Sequence, residues 1–404
     1  MSVRTSSGRT APRPALVLAV LLLAVAVAAP ACGGGDNARP AAPAAGFEEL
    51  VAEQRSQPVD RAAVADRTDI AAEAKERWRW ATPDNGALGL PSTDHAGVVL
   101  THSGSHLVAV DPQGTLSWSV AHQALRPVEP LLVNGSVVAA GEDDVVAVAR
   151  STGELRWRTP IGHERANAPA ADGDTVFVTT WEGRLLALEL ATGVVRWSVT
   201  LEGPSLWRPA AIGTTVIAAW DGGWGGFDVA SGRPVWSEEL WPDGTGSPAV
   251  LTVRGDPVAL IASGGRVDAN DAKTGKPRWR TTTWVDTAID QSVTVVGGHV
   301  AVPDRQGGVT VLDAATGALQ WFLEGGRGDV AERGAVAALS DGLLAFALDV
   351  GGLRLSWPGG KLDVDPGALV AGVAPLGAGL VASTWHSDAP ALVAFEVLTG
   401  PTKR

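Results

Sequence analysis

From about Arg77 to Gly400 the chain repeats one pattern of short apolar runs broken by glycine-containing turns. Each unit reads as an apolar strand, a Gly turn, a second apolar strand, an acidic or small residue, a Thr-Gly or Ser-Gly turn, and a strand containing Trp. One unit shows the pattern in full: the turn Asp172-Gly173-Asp174, an apolar run at 175–180, Trp181-Glu182-Gly183, a second run at 184–190, the turn Ala191-Thr192-Gly193, and a last run at 194–199. The runs carry Val, Leu and Ala on both faces, as expected of short strands in a sheet covered on both sides by its neighbours. Trp78, Trp118, Trp157, Trp197, Trp236, Trp279 and Trp321 stand 40, 39, 40, 39, 43 and 42 residues apart. That period is the length of one four-stranded propeller blade.

The seventh and last units depart from the repeat informatively. Trp357 follows Trp321 by only 36 residues. Aligning on turns instead of on Trp predicts strands at 343–348, 353–357 and 361–364, which puts Trp357 in a third strand and outside the docking series. The last unit has runs at 369–375, 380–385 and 391–398, then Thr399-Gly400, and lacks the strand that should follow. Arg77-Trp78-Arg79-Trp80 is the converse, a Trp strand with no hairpin before it. Joining the two completes an eighth blade and removes the open edges of the stack. The expectation is an all-β, eight-bladed β-propeller of four-stranded antiparallel blades over 76–404, closed by its N-terminal strand.

The phrase Leu188-Glu189-Leu190-Ala191-Thr192-Gly193 with Trp197 resembles the tryptophan-docking repeat of PQQ-like, quinoprotein-type propellers. Phe227-Asp228-Val229-Ala230-Ser231-Gly232 with Trp236, and Leu312-Asp313-Ala314-Ala315-Thr316-Gly317 with Trp321, resemble it more closely still. The resemblance implies that the seven periodic tryptophans pack between blades against a neighbouring turn. Asp111, Asp228, Asp271 and Asp313, just before the turns, read as turn-fixing side chains and not as metal ligands. A quinoprotein dehydrogenase of this family covers its quinone with a disulfide between adjacent cysteines, and the body of this chain has no cysteine. No His-Glu-x-x-His, Gly-x-Ser-x-Gly or phosphate-loop motif is present. Neither a catalytic residue, a cofactor nor a metal is expected; His102 and His106 share one hairpin without a third ligand.

The N-terminal region bears on location. Arg4, Arg9 and Arg13 precede an apolar run from Ala15 to Ala29, the layout of an export signal over 1–31. Ala29-Pro30-Ala31-Cys32 resembles the lipobox of bacterial lipoproteins, which implies lipid on Cys32, the only cysteine. Residues 32–46 read as a Gly, Ala and Pro-rich tether, and 47–75 as a linker that could hold one or two short helices. Removing the leader takes away three arginines and no carboxylate, so the formal charge moves from −12 to −15. That balance disfavours nucleic acid as partner and supplies no polybasic patch for an acidic membrane surface. The expected location is the extracytoplasmic side of a bacterial cell membrane, held by lipid.

Other tryptophans are the best candidates for function. Trp181, Trp220 and Trp385 lie at ends of second strands or in the turns after them, and Trp207, Trp241 and Trp284 lie on paths from an outer strand to the next inner one. In a propeller these two connection types emerge on one face. Together with Arg165, Arg208, Asp221 and Asp286 they form a candidate aromatic, mixed-charge binding surface of the composition found at interface centres. In blade count, repeat and anchoring the chain is similar to the propeller lipoproteins of the outer-membrane β-barrel assembly machinery, which implies a non-catalytic, membrane-tethered scaffold that binds a protein or envelope component. Two alternatives stay open: a receptor for a quinone, sugar or cell-wall fragment in the central funnel, and, less well supported, a quinoprotein dehydrogenase.

Overall fold

The computed structural model describes residues 70–401, apart from 83–85, 103–104, 123, 241–244, 283–292, 304–307, 324–335, 341–342, 349–351, 359 and 386–389. The described residues fall within the compact unit Pro40–Arg404; the leader, the lipobox-like segment, the tether and residues 47–69 lie outside them. The fold is an all-β propeller of eight four-stranded antiparallel sheets. We number the blades I (92–121), II (131–160), III (170–200), IV (210–239), V (249–282), VI (294–323), VII (337–364) and VIII (369–401 with 70–81), and letter their strands A to D from the inside out. The A strand of each blade touches that of the next, and blade VIII touches blade I, so the ring is closed.

Closure follows the pairing of the two chain ends. Ile70–Ala81 lies antiparallel to Ala391–Pro401, with Trp78 opposite Ala394, Arg79 opposite Val393 and Trp80 opposite Leu392. The strand starts earlier than the sequence pattern indicates. Residues 70–75, expected in a linker with short helices, continue it by pairing with 396–401. The B strand Gly379–Trp385 reaches only to Glu396, so residues 70–74 and 397–401 form a two-stranded ribbon past the edge of the blade. The ribbon's Ala72, Ala74 and Val397 belong to the apolar cluster that also contains Trp357, Leu362 and Val364 of blade VII. That burial outweighs the weak local helix preference.

Neighbouring blades are joined by the periodic tryptophans. The indole N–H of a D-strand Trp donates to a carbonyl in the C–D turn of the next blade: Trp78 to Pro112 at 2.9 Å, Trp118 to Arg150 at 2.9 Å, Trp157 to Leu190 at 2.8 Å, Trp197 to Val229 at 2.8 Å, Trp236 to Ala272 at 2.9 Å, and Trp279 to Ala314 at 3.0 Å. The glycine of the same turn lies flat on the ring. At Gly232, whose φ is 70°, an added Cβ would sit 2.6 Å from the Trp197 ring, and the same arrangement recurs at Gly114, Gly153, Gly193, Gly275 and Gly317. Glycine is needed twice over, for the left-handed backbone and for the close approach. Trp321 is buried in a cluster with Leu344, Phe346 and Leu348 of blade VII. That blade turns between its C and D strands with Trp357 opposite Gly360, which leaves no room for a Thr-Gly turn.

The turn aspartates fix these docking platforms. Asp111 accepts the amides of Gln113 and Thr115 at 2.9 and 2.8 Å, and Asp228 that of Ser231 at 2.8 Å. Asp271 accepts the Thr274 amide and hydroxyl at 3.0 and 2.8 Å, and Asp313 those of Thr316 at 2.8 and 2.7 Å. Hydrogen bonding from Thr316, side chain first and then backbone, holds the Asp313 carboxyl below the usual carboxylate range.

Gly213, with φ 61° and open space where a methyl group would project, carries only the left-handed strain. Gly232→Ala should therefore destabilise the protein by about 1–3 kcal/mol more than Gly213→Ala in denaturant titrations, through the added clash with Trp197. Because the folded pKa of Asp313 is depressed, its contribution is complete above the unfolded value of about 3.9 and is lost as pH falls through the folded value. Asp313→Asn keeps the carbonyl acceptor, so its stability, measured by thermal midpoint, should fall less steeply than that of the parent between about pH 5 and pH 2.

Candidate functional site

Strand order gives the ring two unlike ends. The A–B and C–D turns emerge at one, the turn face; the B–C turns and D–A connections emerge at the other, the loop face. At the loop face the D–A connections after blades I, II and III are laid along the next blade's B–C turn by backbone hydrogen bonds. The connection after blade I pairs Leu125 with Gly141, and Glu142 N–H donates to Ala124 at 2.9 Å. The connection after blade II pairs Ala166 with Thr180, and Trp181 N–H donates to Arg165 at 3.0 Å. After blade III, the Asp221 amide donates to Pro204 at 2.8 Å. Residues about one repeat apart in sequence are thereby brought side by side.

Trp181 is the half-buried centre of the resulting cluster. The guanidinium carbons of Arg126 and Arg165 lie 4.4 and 4.7 Å from its ring centroid, a cation–π arrangement worth about 0.5–1 kcal/mol at a partly exposed site. The indole N–H donates to Asn167 Oδ1 at 3.1 Å, and Asn167 in turn donates to Thr179 Oγ1 at 3.0 Å and to the Ser205 carbonyl at 2.9 Å. Arg165 donates through Nε to Glu142 at 2.8 Å. Beside them Glu164 accepts from the Thr180 hydroxyl at 3.0 Å and from Arg184. The cluster is thus tied into the backbone of blades II and III.

A second link runs along the inner rim of the ring. Arg208 Nη1 lies 2.7 Å from Glu129 Oε2, and Glu129 also accepts from the Ser92 hydroxyl at 3.2 Å. Glu129 ends the connection into the inner strand Leu131–Val133 of blade II, and Arg208 ends the one into Ala210–Ile212 of blade IV. The pair therefore straps the rim past blade III. Next to Arg208, Leu206 is one of the few large apolar side chains exposed to solvent, at 46%.

Not every residue expected on this surface is there. Arg165, Arg208 and Asp221 are exposed and Trp181 is half-buried at loop-face segments. Trp207 and Trp220 are buried, and this corrects the sequence expectation. Trp207 donates its indole N–H to the Thr245 carbonyl at 2.7 Å and is buried with Trp224, Trp236 and Leu240. Trp220 turns inward and meets Phe227 edge-on at 6.2 Å, in a buried cluster with Phe177 and Leu185. Both lie at loop-face ends of their segments, but burying an indole is worth far more than exposing it. Neighbouring glycines leave the space for Trp220: a Cβ at Gly223 would lie 2.8 Å from its Nε1, and one at Gly225 would lie 3.2 Å from its Cη2. Trp241, Trp284 and Asp286 lie outside the described residues; Trp385 ends a B strand, and its side chain lies outside them.

Residues that the sequence pattern did not single out are Arg126, Glu129, Glu142, Asn167 and Leu206 at the surface, and Trp224 in the core. Trp224 meets Trp236 edge-on, with centroids 5.0 Å apart. The available signal was position: Arg126, Glu129 and Leu206 all lie in D–A connections, as Trp207 does. Among the described residues no group of three or more His, Cys, Asp or Glu side chains is placed to hold a metal ion.

Comparison with known proteins gives a consistent result. The family described as outer membrane protein assembly factor BamB matches this chain at residues 58–169, 141–287 and 225–361. Relatives with that description include one from Moranella endobia, 24% identical over 267 residues, covering 60% of this chain and 65% of the relative. One from Burkholderia pseudomallei is 26% identical over 223 residues, covering 50% of this chain and 57% of the relative. The matched stretch therefore spans just under two thirds of these relatives' length or less. Among solved structures, BamB from Moraxella catarrhalis is similar with a TM-score of 0.63 at 16% identity, covering 80% of this chain and 98% of that one. A europium-containing methanol dehydrogenase is similar with a TM-score of 0.62 at 12% identity, covering 85% and 92%. Likeness at such identities concerns the fold alone, since one scaffold carries both an assembly factor and an enzyme.

The strap along the rim is testable by itself. Both partners are about two-fifths exposed, at 44% and 35%, so a double-mutant cycle of Glu129→Gln and Arg208→Gln, read by denaturant midpoint, should give a coupling of about 0.2–1 kcal/mol that shrinks in high salt.

Proposed function

This chain belongs to the family described as outer membrane protein assembly factor BamB, and on that premise we propose that it is a non-catalytic scaffold whose loop face binds a protein of the bacterial envelope. The observation that carries this reading is the braced surface made of Arg126, Trp181, Arg165 and Glu142, continued by the Glu129–Arg208 strap and the exposed Leu206. An aromatic and guanidinium cluster already fixed by hydrogen bonds loses little freedom on association. Arg and Trp are the side chains most often dominant at interface centres. The relatives' description as assembly factors of the outer membrane favours a partner from that machinery.

The same geometry weighs against the alternatives. A quinone or sugar would use a free aromatic face for stacking, and two guanidiniums already lie 4.4 and 4.7 Å from the Trp181 ring centroid. The Glu129–Arg208 pair occupies the rim of the mouth between blades II and IV, where a small ligand entering on that side would meet paired charges. Location at the extracytoplasmic side of the membrane, export through residues 1–31, lipid on Cys32 and a tether over 32–46 are part of this proposal and rest on the sequence pattern.

The test uses exposed residues, because Trp207→Ala would open the core instead of altering the surface. Affinity isolation from gently solubilised membranes should recover a partner with the parent and lose it with a Leu206→Asp, Arg208→Glu double variant whose thermal midpoint is unchanged. Truncating a central interface residue of this type costs about 1–2 kcal/mol or more of binding. Recovery of the same partner in undiminished yield would remove the loop face from consideration.

A further inference from the structure

The opposite face carries a feature that partner binding at the loop face does not explain. Among the described residues seven large apolar side chains are exposed, and six of them are Leu116, Leu155, Val194, Val195, Val235 and Leu398. The first five lie at the start of the D strands of blades I to IV, immediately after the C–D turns. Leu398 lies in the ribbon of blade VIII, opposite Glu73. All six are therefore at the turn-face edge of five consecutive blades, VIII through IV. Single exposed aliphatic residues are ordinary on any protein surface; repetition at one edge is not. The repeat itself does not force the exposure, because the equivalent Pro277 of blade V and Leu319 of blade VI are half-buried.

Two more observations say what this edge faces. First, the described chain begins there: Ile70 starts the ribbon at the turn-face end of blade VIII, paired with Pro401. Second, exposed charged groups of both signs stand beside the aliphatic tips: Glu154 and Arg156 on either side of Leu155, Arg196 next to Val195, Arg233 two residues before Val235, and Glu73 opposite Leu398. Arg196 is held in place by Asp174 at 2.7 Å. Aliphatic tips among charged side chains of both signs suit the zwitterionic headgroup level of a bilayer, where the apolar part reaches the acyl boundary and the charged groups stay hydrated.

We propose that the turn-face rim of blades VIII and I to IV rests on the phospholipid surface in which the chain is anchored, so that the loop face points away from the bilayer toward its partner. The proposal rests on the reading that the N-terminal region anchors the chain in a membrane. Anchoring places the body at an effective concentration on the order of millimolar at the surface. A rim of half-exposed aliphatics, too weak to recruit a free protein, is then sufficient to orient one already held there.

The test is photo-crosslinking of the full chain, recovered from membranes with its anchor and reconstituted in vesicles of phosphatidylethanolamine and phosphatidylglycerol. A benzophenone amino acid replaces Leu155 or Val194 at the rim, or Leu206 on the loop face, and adducts are identified by mass spectrometry. Phospholipid adducts should form at the two rim positions several-fold more than at Leu206. The exposed substitutions Leu116→Asp and Val195→Asp should lower the adduct at the rim without moving the thermal midpoint. Equal labelling of the two faces, or adducts to protein at the rim, would overturn the proposal while leaving the anchor intact. A chain that is not recovered with membranes at all would overturn the anchoring reading, and this proposal with it.

Discussion

An indole lying on a glycine is the contact on which the rest of this protein depends. A single four-stranded sheet with two apolar faces cannot stay folded in water alone, so each blade requires a neighbour on both sides. The D-strand Trp supplies the join: its ring covers the Thr-Gly or Ser-Gly turn of the next blade, and its N–H takes a carbonyl there, as Trp197 does with Val229. Each such hydrogen bond adds only about 1 kcal/mol net, yet it fixes the angle between blades as well as their attraction. Six repetitions of one geometry, including the one in which Trp78 meets Pro112 across the junction of the chain ends, determine the curvature and let the ring close.

The seams are not identical, and the differences mark where the repeat was adapted. Between blades I and II, Arg150 adds a two-pronged contact to Asp94 at 2.9 and 2.7 Å while its carbonyl receives Trp118. Between blades IV and V, Glu238 replaces the apolar or Thr side chain found two residues after Trp in blades I, II, III and V. It joins Arg280 at 2.6 Å and Asn270 at 2.9 Å. Arg280 also meets Asp268, whose burial raises its carboxyl pKa. Two carboxylates and two guanidiniums, counting Arg266, thereby share one seam. Buried groups of this kind are poor sources of stability but strongly penalise mispairing, because any other neighbour would leave a charge uncompensated.

Docking through the C–D turns also divides the labour between the faces. The turn face is occupied with holding blades together at its periphery and carries the start of the described chain. The loop face joins blades mainly through backbone hydrogen bonds of its D–A connections, which leave the side chains there free to vary. Laying the connections after blades I to III along the next B–C turn fixes that part of the surface, which is why Arg126 of one blade junction and Arg165 of the next can converge on Trp181. A surface built this way suits recognition of a large partner better than chemistry on a small one.

The fold was legible from the spacing of Trp and of Thr-Gly turns, including the displaced Trp357 and the union of the two chain ends. These are local signals: a turn that demands a left-handed glycine and a strand that demands alternating cover are written into a few adjacent residues. The same locality explains the shortfall at the site. The sequence placed Trp207 and Trp220 at the ends of the right segments, but whether an indole such as Trp220 points to solvent or core depends on space left by Gly223 and Gly225 on another strand. It held no sign that Glu129 and Arg208, 79 residues apart, would meet. Chain periodicity by itself determined the blades, their number and their closure, because each follows from short-range backbone geometry and a repeated docking residue. Only the tertiary structure decided which side chains share a surface, because that is set by the packing of separate repeats around a ring.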